Sequence, residues 1–376
     1  MKVLYDHQIF GLQDFGGISR YYYELLKRQR GCAELSLAQS NNEYVRADME
    51  LASQVAPKPL PRRYSKLERI VVPKKIRNRV PGARENMKCT SAKLKEGGFD
   101  LFHPTYYDPY FLDGLQGRPF VLTVHDMIHE LYPEYFHLTD SVSADKRKLV
   151  EKAAHIITVS ATTKRDLVNI HGIEESRITV VYHGSSLNSE GPEGNLQLPG
   201  KFLLMVGSRA SYKNCYFALQ ALSKLFKRIP ELSVVFAGGG PFSGGEQGYF
   251  STLGLSGRIH YYPAGNSALR MLYKRAEAFI FPSLYEGFGI PLLEAFSCGC
   301  PVLSSNTAAL REVAADAALY FEPKDLHAME SAVERILCES ALRERLRVSG
   351  YERLSQFSWE RCAKETTVVY EKVLGL

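Results

Sequence analysis

Apolar and polar positions along this chain fall into two recurring registers. Short unbroken apolar runs end at a glycine, a proline or a polar turn, and longer stretches with apolar residues three or four apart follow them. The first register predicts buried strands at Lys2 to Asp6, in DLFHP after Gly98, at Phe120 to Val124, at His155 to Ser160 and at Ile178 to Tyr182. The second predicts helices between them. In GGISRYYYELLKR, Ile18, Tyr22, Leu25 and Leu26 share one face, and Ser19 is placed to cap the start. Further helices are expected over Asp140 to Ala154 and Thr162 to His171. Strand and helix in alternation build a parallel sheet with helices on its faces.

The alternation breaks at NSEGPEGNLQLPG, Asn188 to Gly200, whose glycines, prolines and polar residues mark a linker. A second series then begins at Phe202: FLLMVG, LSVVFAGGG, RIHYYP, AFIF and PVLSS are strands, with further helices and strands to Phe321. Three helical stretches complete the chain, the last starting at FSWERCA with Trp359, the only tryptophan. At 376 residues the chain is long for one core and comfortable for two. The expected fold class is α/β, with two Rossmann-like doubly wound parallel-sheet domains.

The stretch FPSLYEGFGIPLLEAFSCGCP, Phe281 to Pro301, carries the most chemistry. It predicts the end of a strand, a turn and a helix: Pro282 stops the strand, Gly287 and Gly289 flank Phe288, Pro291 suits the first helical turn, and Gly299 closes the helix. A helix start presents amide hydrogens and partial positive charge, and glycines let a ligand approach the backbone, so anions bind there. Glu286 before the turn and Glu294 about one helical turn in can accept hydrogen bonds from paired hydroxyls, which a sugar or a ribose offers. The motif therefore suits something phosphorylated and rich in hydroxyls.

Two further stretches place polar groups at the carboxyl end of a strand, where open parallel sheets bind ligands. GSRASYKN puts Arg209 and Lys213 in a loop and at a first helical turn, where cations are unfavourable unless an anion meets them. TVHDMIHE puts His125 and Asp126 at the end of the Phe120 strand, while the nearby His129 and His137 are structural. Gly16 and Gly17 form a second glycine turn at a helix start. No G-x-G-x-x-G follows the first strand of either domain, which argues against a dehydrogenase.

Composition narrows the class further. Hydrophobic content of 45% and charged content of 23% belong to a soluble globular protein, and no run approaches the roughly 20 apolar residues of a membrane helix. MKVLYDHQIF lacks the apolar core of a signal peptide, so the expected location is cytoplasmic. Seven cysteines without a CxxC pair argue against a disulfide framework and a structural zinc site, and Cys298 and Cys300 suit buried small residues. The net charge of +6 is concentrated: from Lys58 to Lys95 there are 13 Lys and Arg against Glu68 and Glu85, leaving 34 basic and 39 acidic residues elsewhere. With Leu67, Ile70, Val71 and Val72 among those charges, residues 58–95 suit an anionic membrane surface on the inner face, the alternative being a solvated insertion. Nucleic acid is not an expected partner, because no aromatic-interleaved module accompanies the charge.

Glu286 and Glu294 in the context YEGFGIPLLEA resemble the E-x7-E signature of the retaining glycosyltransferases of GT-B fold, family 4. The match covers essentially the whole chain, strongly in the second domain and loosely between residues 40 and 100. The resemblance implies two domains facing each other across a cleft: 1–190 for the acceptor, with a C-terminal helix near 357–376 packing back on it, and 200–356 for the nucleotide sugar. It implies that Arg209 and Lys213 grip the nucleotide diphosphate and that Gly16 and Gly17 close over the donor. It further places His125 against the donor sugar, without a strong basic role, and the backbone near Tyr262 against the base. Glu286 would take the sugar hydroxyls, Glu294 the ribose hydroxyls, and the amides around Gly287, Phe288 and Gly289 the phosphates.

No metal and no cofactor are implied beyond the nucleotide diphosphate sugar itself. DHQIF, GGISRYYYEL and TVHDMIHE are most similar to transferases of polysaccharide and O-antigen assembly that use GDP-mannose and a saccharide acceptor, often lipid-linked. A UDP-sugar donor is the alternative within the class. A nucleotide-sugar epimerase and a non-catalytic nucleotide-sugar-binding protein are the alternatives outside it.

Overall fold

The computed structural model describes residues 1–57, 82–187, 189–191, 196–263 and 265–376. The chain divides into two compact units, Met1–His183 with Trp359–Leu376, and Gly184–Ser358.

In the first unit β1 (Val3–Tyr5), β2 (Ala33–Leu35) and β3 (Leu101–His103) form a parallel set in the order β2-β1-β3. A second parallel set, β4 (Val121–Val124), β5 (His155–Thr158) and β6 (Ile178–Val180), lies in the order β4-β5-β6. The Phe102 amide donates to the Pro119 carbonyl at 3.1 Å and Phe102 bridges to Phe120, which sets β3 beside β4. Strand order therefore reverses between β1 and β3, and the carboxyl ends at that reversal are where such sheets take ligands.

The helix Gly17–Arg28 buries Tyr21, Tyr22, Leu25 and Leu26. Its cap differs from the sequence expectation. Gly16 is the N-cap, and Ser19 lies inside the first turn, its hydroxyl donating to the Gly16 carbonyl at 3.1 Å. The Gln13 side chain accepts from the Ser19 amide at 3.2 Å, so the capping oxygen comes from the preceding turn.

The C-terminal helix Trp359–Leu374 belongs to this unit and buries Trp359, Cys362, Thr366, Val369 and Tyr370. Tyr370 anchors it through a hydrogen-bonded chain. Its hydroxyl meets the Tyr5 hydroxyl and His103 Nδ1, each at 2.6 Å, and His103 Nε2 meets the Thr123 hydroxyl at 2.9 Å. Tyr5 donates to Gln29 at 2.7 Å, and Tyr21 meets Thr123 at 3.0 Å. Every member is buried and partnered, which is the condition for a polar network to stabilise a core.

Of the basic segment expected at 58–95, residues 58–81 lie outside the described residues. The remainder enters the helix Ala83–Glu96, which turns Asn86, Thr90 and Leu94 into the first unit. Asn86 Oδ1 accepts from the amides of Ala38 and Gln39 at 3.0 and 2.7 Å.

The second unit is one six-stranded parallel sheet. Its strands are β7 (Lys201–Val206), β8 (Leu232–Ala237), β9 (Ile259–Tyr262), β10 (Ala278–Phe281), β11 (Val302–Ser305) and β12 (Ala318–Phe321), in the order β12-β11-β10-β7-β8-β9. The order is that of a doubly wound sheet with its reversal between β7 and β10. Burial of Leu203, Met205, Val234, Phe236, Ile280 and Leu303 against the helices Cys215–Arg228 and Leu326–Cys338 makes the core. The sheet thus delivers the loops after β7 and β10 side by side. Among the described residues no helix is long and apolar enough to cross a membrane.

Candidate active site

The loop after β7 runs from Gly207 to Asn214, and the loop after β10 from Pro282 to Gly289. They are tied together where the Leu284 amide donates to the Tyr212 carbonyl at 2.8 Å. Across this junction Lys213 Nζ donates to Glu286 Oε1 at 2.6 Å, and the same oxygen accepts from the Ser283 hydroxyl at 2.6 Å. The Lys213 and Glu286 side chains are only 20% and 13% exposed. Burial works to lower the Lys213 pKa, but the Glu286 charge and hydrogen bond outweigh it, and the group is held above its usual value. Lys213 is therefore a fixed cation, with the Tyr212 and Phe281 rings 5.1 and 5.7 Å from its nitrogen.

Gly289 caps the helix Ile290–Ser297, with Pro291 in its first turn. Its φ of +110° is in the range that favours glycine, and an added Cβ would lie 2.9 Å from Leu310 Cδ2. Glycine is thus needed both for backbone conformation and for packing. The first amides of a helix lack intrahelical acceptors, so this start adds positive potential to the edge where Lys213 sits. Phe288 is buried beside Phe357, ring centroids 5.8 Å apart, and anchors the turn from below. Glu294, within the helix, accepts from the Tyr273 hydroxyl at 3.2 Å. Burial, then the charge of Glu294, pushes the Tyr273 pKa well up, so that hydroxyl keeps its proton.

Arg209 is held differently from Lys213. Its Nε donates to Glu246, its Nη1 to the Gly238 carbonyl at 3.3 Å, and its Nη2 to the carbonyls of Gly240 and Pro241 at 3.0 and 3.3 Å. The side chain is 3% exposed. Arg209, Lys213 and Glu286 nonetheless share one neighbourhood. The buried Cys215 thiol, pushed up to about 12 chiefly by burial, is lowered by both cations and raised by the carboxylate. Tyr262, at the end of β9, spends its carbonyl on the Gly238 amide at 3.2 Å and its hydroxyl on the Gln197 carbonyl.

The other expected residues lie on the first unit. His125 follows β4, its amide donating to the Tyr107 hydroxyl at 3.0 Å. The rings of Tyr21, Tyr22 and His183 stand 5.3, 5.7 and 6.2 Å from its own. Burial, and then the nearby His183, His103 and Lys146, drives its pKa well below the usual value. Burial thus favours the neutral imidazole. Its Nε2 is buried without a hydrogen-bond partner among the described residues, so it has a hydrogen bond to offer. Gly16 and Gly17 begin the helix that carries Tyr21 and Tyr22, which puts that glycine turn on the element flanking His125.

Three partners were not anticipated from the sequence. Ser283 holds Glu286, Glu246 holds Arg209, and Tyr273 holds Glu294. Ser243 and Glu246 do carry a readable signal, the S-x-x-E of a capping box, and both of its hydrogen bonds are present. Tyr273 had none, since its role depends on which helix packs beside Ile290–Ser297. Among the described residues, no group of three or more His, Cys, Asp or Glu side chains is arranged to hold a metal ion.

Two doubly wound units, the second with a cation and paired carboxylates at its sheet reversal, define an α/β protein of GT-B architecture. The profile described as Glycosyltransferase Family 4 matches residues 15–188, and that described as Glycosyl transferases group 1 matches residues 190–353. O-antigen chain mannosyltransferase B of Escherichia coli is 30% identical over 292 residues, covering 72% of this chain and 74% of that one. A D-inositol 3-phosphate glycosyltransferase of Frankia alni is 27% identical over 312 residues, covering 74% of this chain and 75% of that one. Sucrose-phosphate synthase from Thermosynechococcus elongatus, 20% identical, superposes with a TM-score of 0.74 over 99% of this chain and 98% of its own. The chain belongs to family 4 of the glycosyltransferases and is mannosyltransferase-like. It is an enzyme that transfers a sugar.

Proposed function

We propose that this enzyme is a retaining hexosyltransferase that takes mannose from GDP-mannose and passes it to a saccharide acceptor, lipid-linked, in the assembly of a surface polysaccharide. The Lys213–Glu286 pair at the β7/β10 reversal, beside the helix start at Gly289, carries the reading. The second unit takes the nucleotide and the first the acceptor. In the proposed reaction the bond between the sugar C1 and the diphosphate oxygen breaks. A bond from the acceptor oxygen to C1 forms on the same face, and the acceptor proton passes to the leaving phosphate oxygen.

Charge accumulating on the diphosphate meets Lys213, Arg209 and the amides of Gly287, Phe288 and Gly289. These groups are fixed before reaction, which is the condition under which electrostatic stabilisation is largest. Glu286 takes the sugar hydroxyls, Glu294 the ribose hydroxyls, and the backbone at Tyr262 the base. His125 gives its unpartnered nitrogen to a donor-sugar hydroxyl, with the Gly16–Gly17 turn closing beside it. The basic stretch between residues 58 and 95 holds the protein against an anionic membrane on its cytoplasmic face.

Mannose as the sugar rests on the E. coli relative, whose name is that of a mannosyltransferase. Melting curves in a panel of guanosine, uridine and adenosine diphosphate sugars test it. A ligand at 100 times its dissociation constant stabilises by about 2.7 kcal/mol. A shift with GDP-mannose and none with uridine sugars is the expected result. A shift confined to uridine sugars contradicts the assigned donor, and no shift with any of them contradicts the nucleotide site.

A further inference from the structure

We propose that Glu246 is a positioning residue that fixes the Arg209 guanidinium and limits it to one hydrogen bond toward the donor diphosphate; this rests on the reading of Arg209 as a diphosphate group. A guanidinium has five N–H donors. Four of those on Arg209 are committed within the protein: Nε to Glu246, one on Nη1 to Gly238, and both on Nη2 to Gly240 and Pro241. The fifth, on Nη1, has no partner among the described residues. Arg209 as placed therefore offers a single donor, not the two-pronged fork expected from its residue type.

The socket is built for this orientation. A Cβ on Gly239 would stand 2.8 Å from Arg209 Nη1, so only glycine leaves room for the guanidinium at that point. The Phe242 ring faces the guanidinium carbon at 4.9 Å. Glu246 is itself immobilised: Oε2 accepts from the Ser243 amide at 2.7 Å and the Ser243 hydroxyl at 2.8 Å, and Oε1 from the Tyr216 hydroxyl at 3.0 Å. One carboxylate thus joins the start of the helix Gly244–Thr252 to the loop after β7. Its charge offsets that of Arg209, as the Glu286 charge offsets that of Lys213.

The test compares Glu246→Gln, Arg209→Ala and the double variant, with mono- and diphosphates of guanosine and uridine as probes. Glu246→Gln is expected to stay folded at 25 °C with a lowered melting point, and to weaken diphosphate binding about tenfold, the scale of one charge-assisted hydrogen bond. Monophosphate binding should stay within about twofold, which a general structural defect would not spare. In the Arg209→Ala background the Glu246→Gln loss should vanish, because the carboxylate acts through the guanidinium. Wild-type diphosphate binding in Glu246→Gln beside a weakened Arg209→Ala would overturn the role of Glu246 alone. Wild-type binding in Arg209→Ala would overturn the reading of Arg209 itself and this proposal with it.

Discussion

Lys213→Ala is expected to lower turnover by about 10²-fold, the usual cost of one preorganised charge-stabilising donor. The ammonium is bonded to Glu286 at 2.6 Å, and its raised pKa keeps it charged across the working range. Its removal does two things at once. On the proposed reading it takes away a cation for the diphosphate, and it leaves Glu286, 13% exposed, with Ser283 as the one remaining partner on that oxygen among the described residues. An uncompensated, largely buried carboxylate would then repel phosphates bound as proposed. The loss should therefore appear in both kcat and donor KM, and Lys213→Arg should recover only part of it, because a planar fork does not replace a point charge. Steady-state kinetics with the best donor of the panel checks this. Wild-type turnover in Lys213→Ala would remove the mechanism proposed for the second unit.

Acid should destabilise the first unit steeply, beginning below pH 6.5. His103 and His183 are lowered to about 3 by burial, and His125 is driven well down by burial and its neighbours His183, His103 and Lys146. Unfolding returns each to its ordinary value near 6.5, so between about pH 3 and 6.5 the unfolded chain binds more protons than the folded one. Stability then rises with pH through that window and is complete above it. Each histidine kept neutral in the fold adds to that slope, on the order of 1 kcal/mol per pH unit at most.

Carboxylates add to the loss at lower pH. Burial tends to raise Glu130, but His171 and Lys146 hold it down at about 2, so its contribution is lost as pH falls from about 4.5 toward 2. Denaturant unfolding at pH 7.5, 6.5, 5.5 and 4.5 measures the histidine slope. A flat stability from 7.5 to 4.5 would mean these imidazoles reach water in the native fold.

The alternation of strand and helix was legible because parallel strands buried on both faces are continuous apolar runs bounded by turn residues. The Phe281–Pro301 motif was legible for a similar local reason: Pro282, Gly289 and Pro291 fix a strand end, a positive φ and a helix start through backbone chemistry alone. What failed to show was whatever depends on another element. Ser19 looked like a cap, yet Gln13 reaches the amide first, from the C-cap of a helix only five residues long, Gln8–Leu12. β2 is Ala33-Glu34-Leu35, with an exposed glutamate at its centre and so no unbroken apolar run to mark it. The hold on Arg209 was not legible either, because a sequence does not reveal the carbonyls of Gly238, Gly240 and Pro241 curling around it.

Hydrogen exchange with and without GDP tests the central claim most directly, that a nucleotide diphosphate is taken at the β7/β10 reversal. Slowed exchange is expected at residues 207–214 and 283–294. Protection that appears elsewhere while both of those loops exchange at their unliganded rate would contradict it.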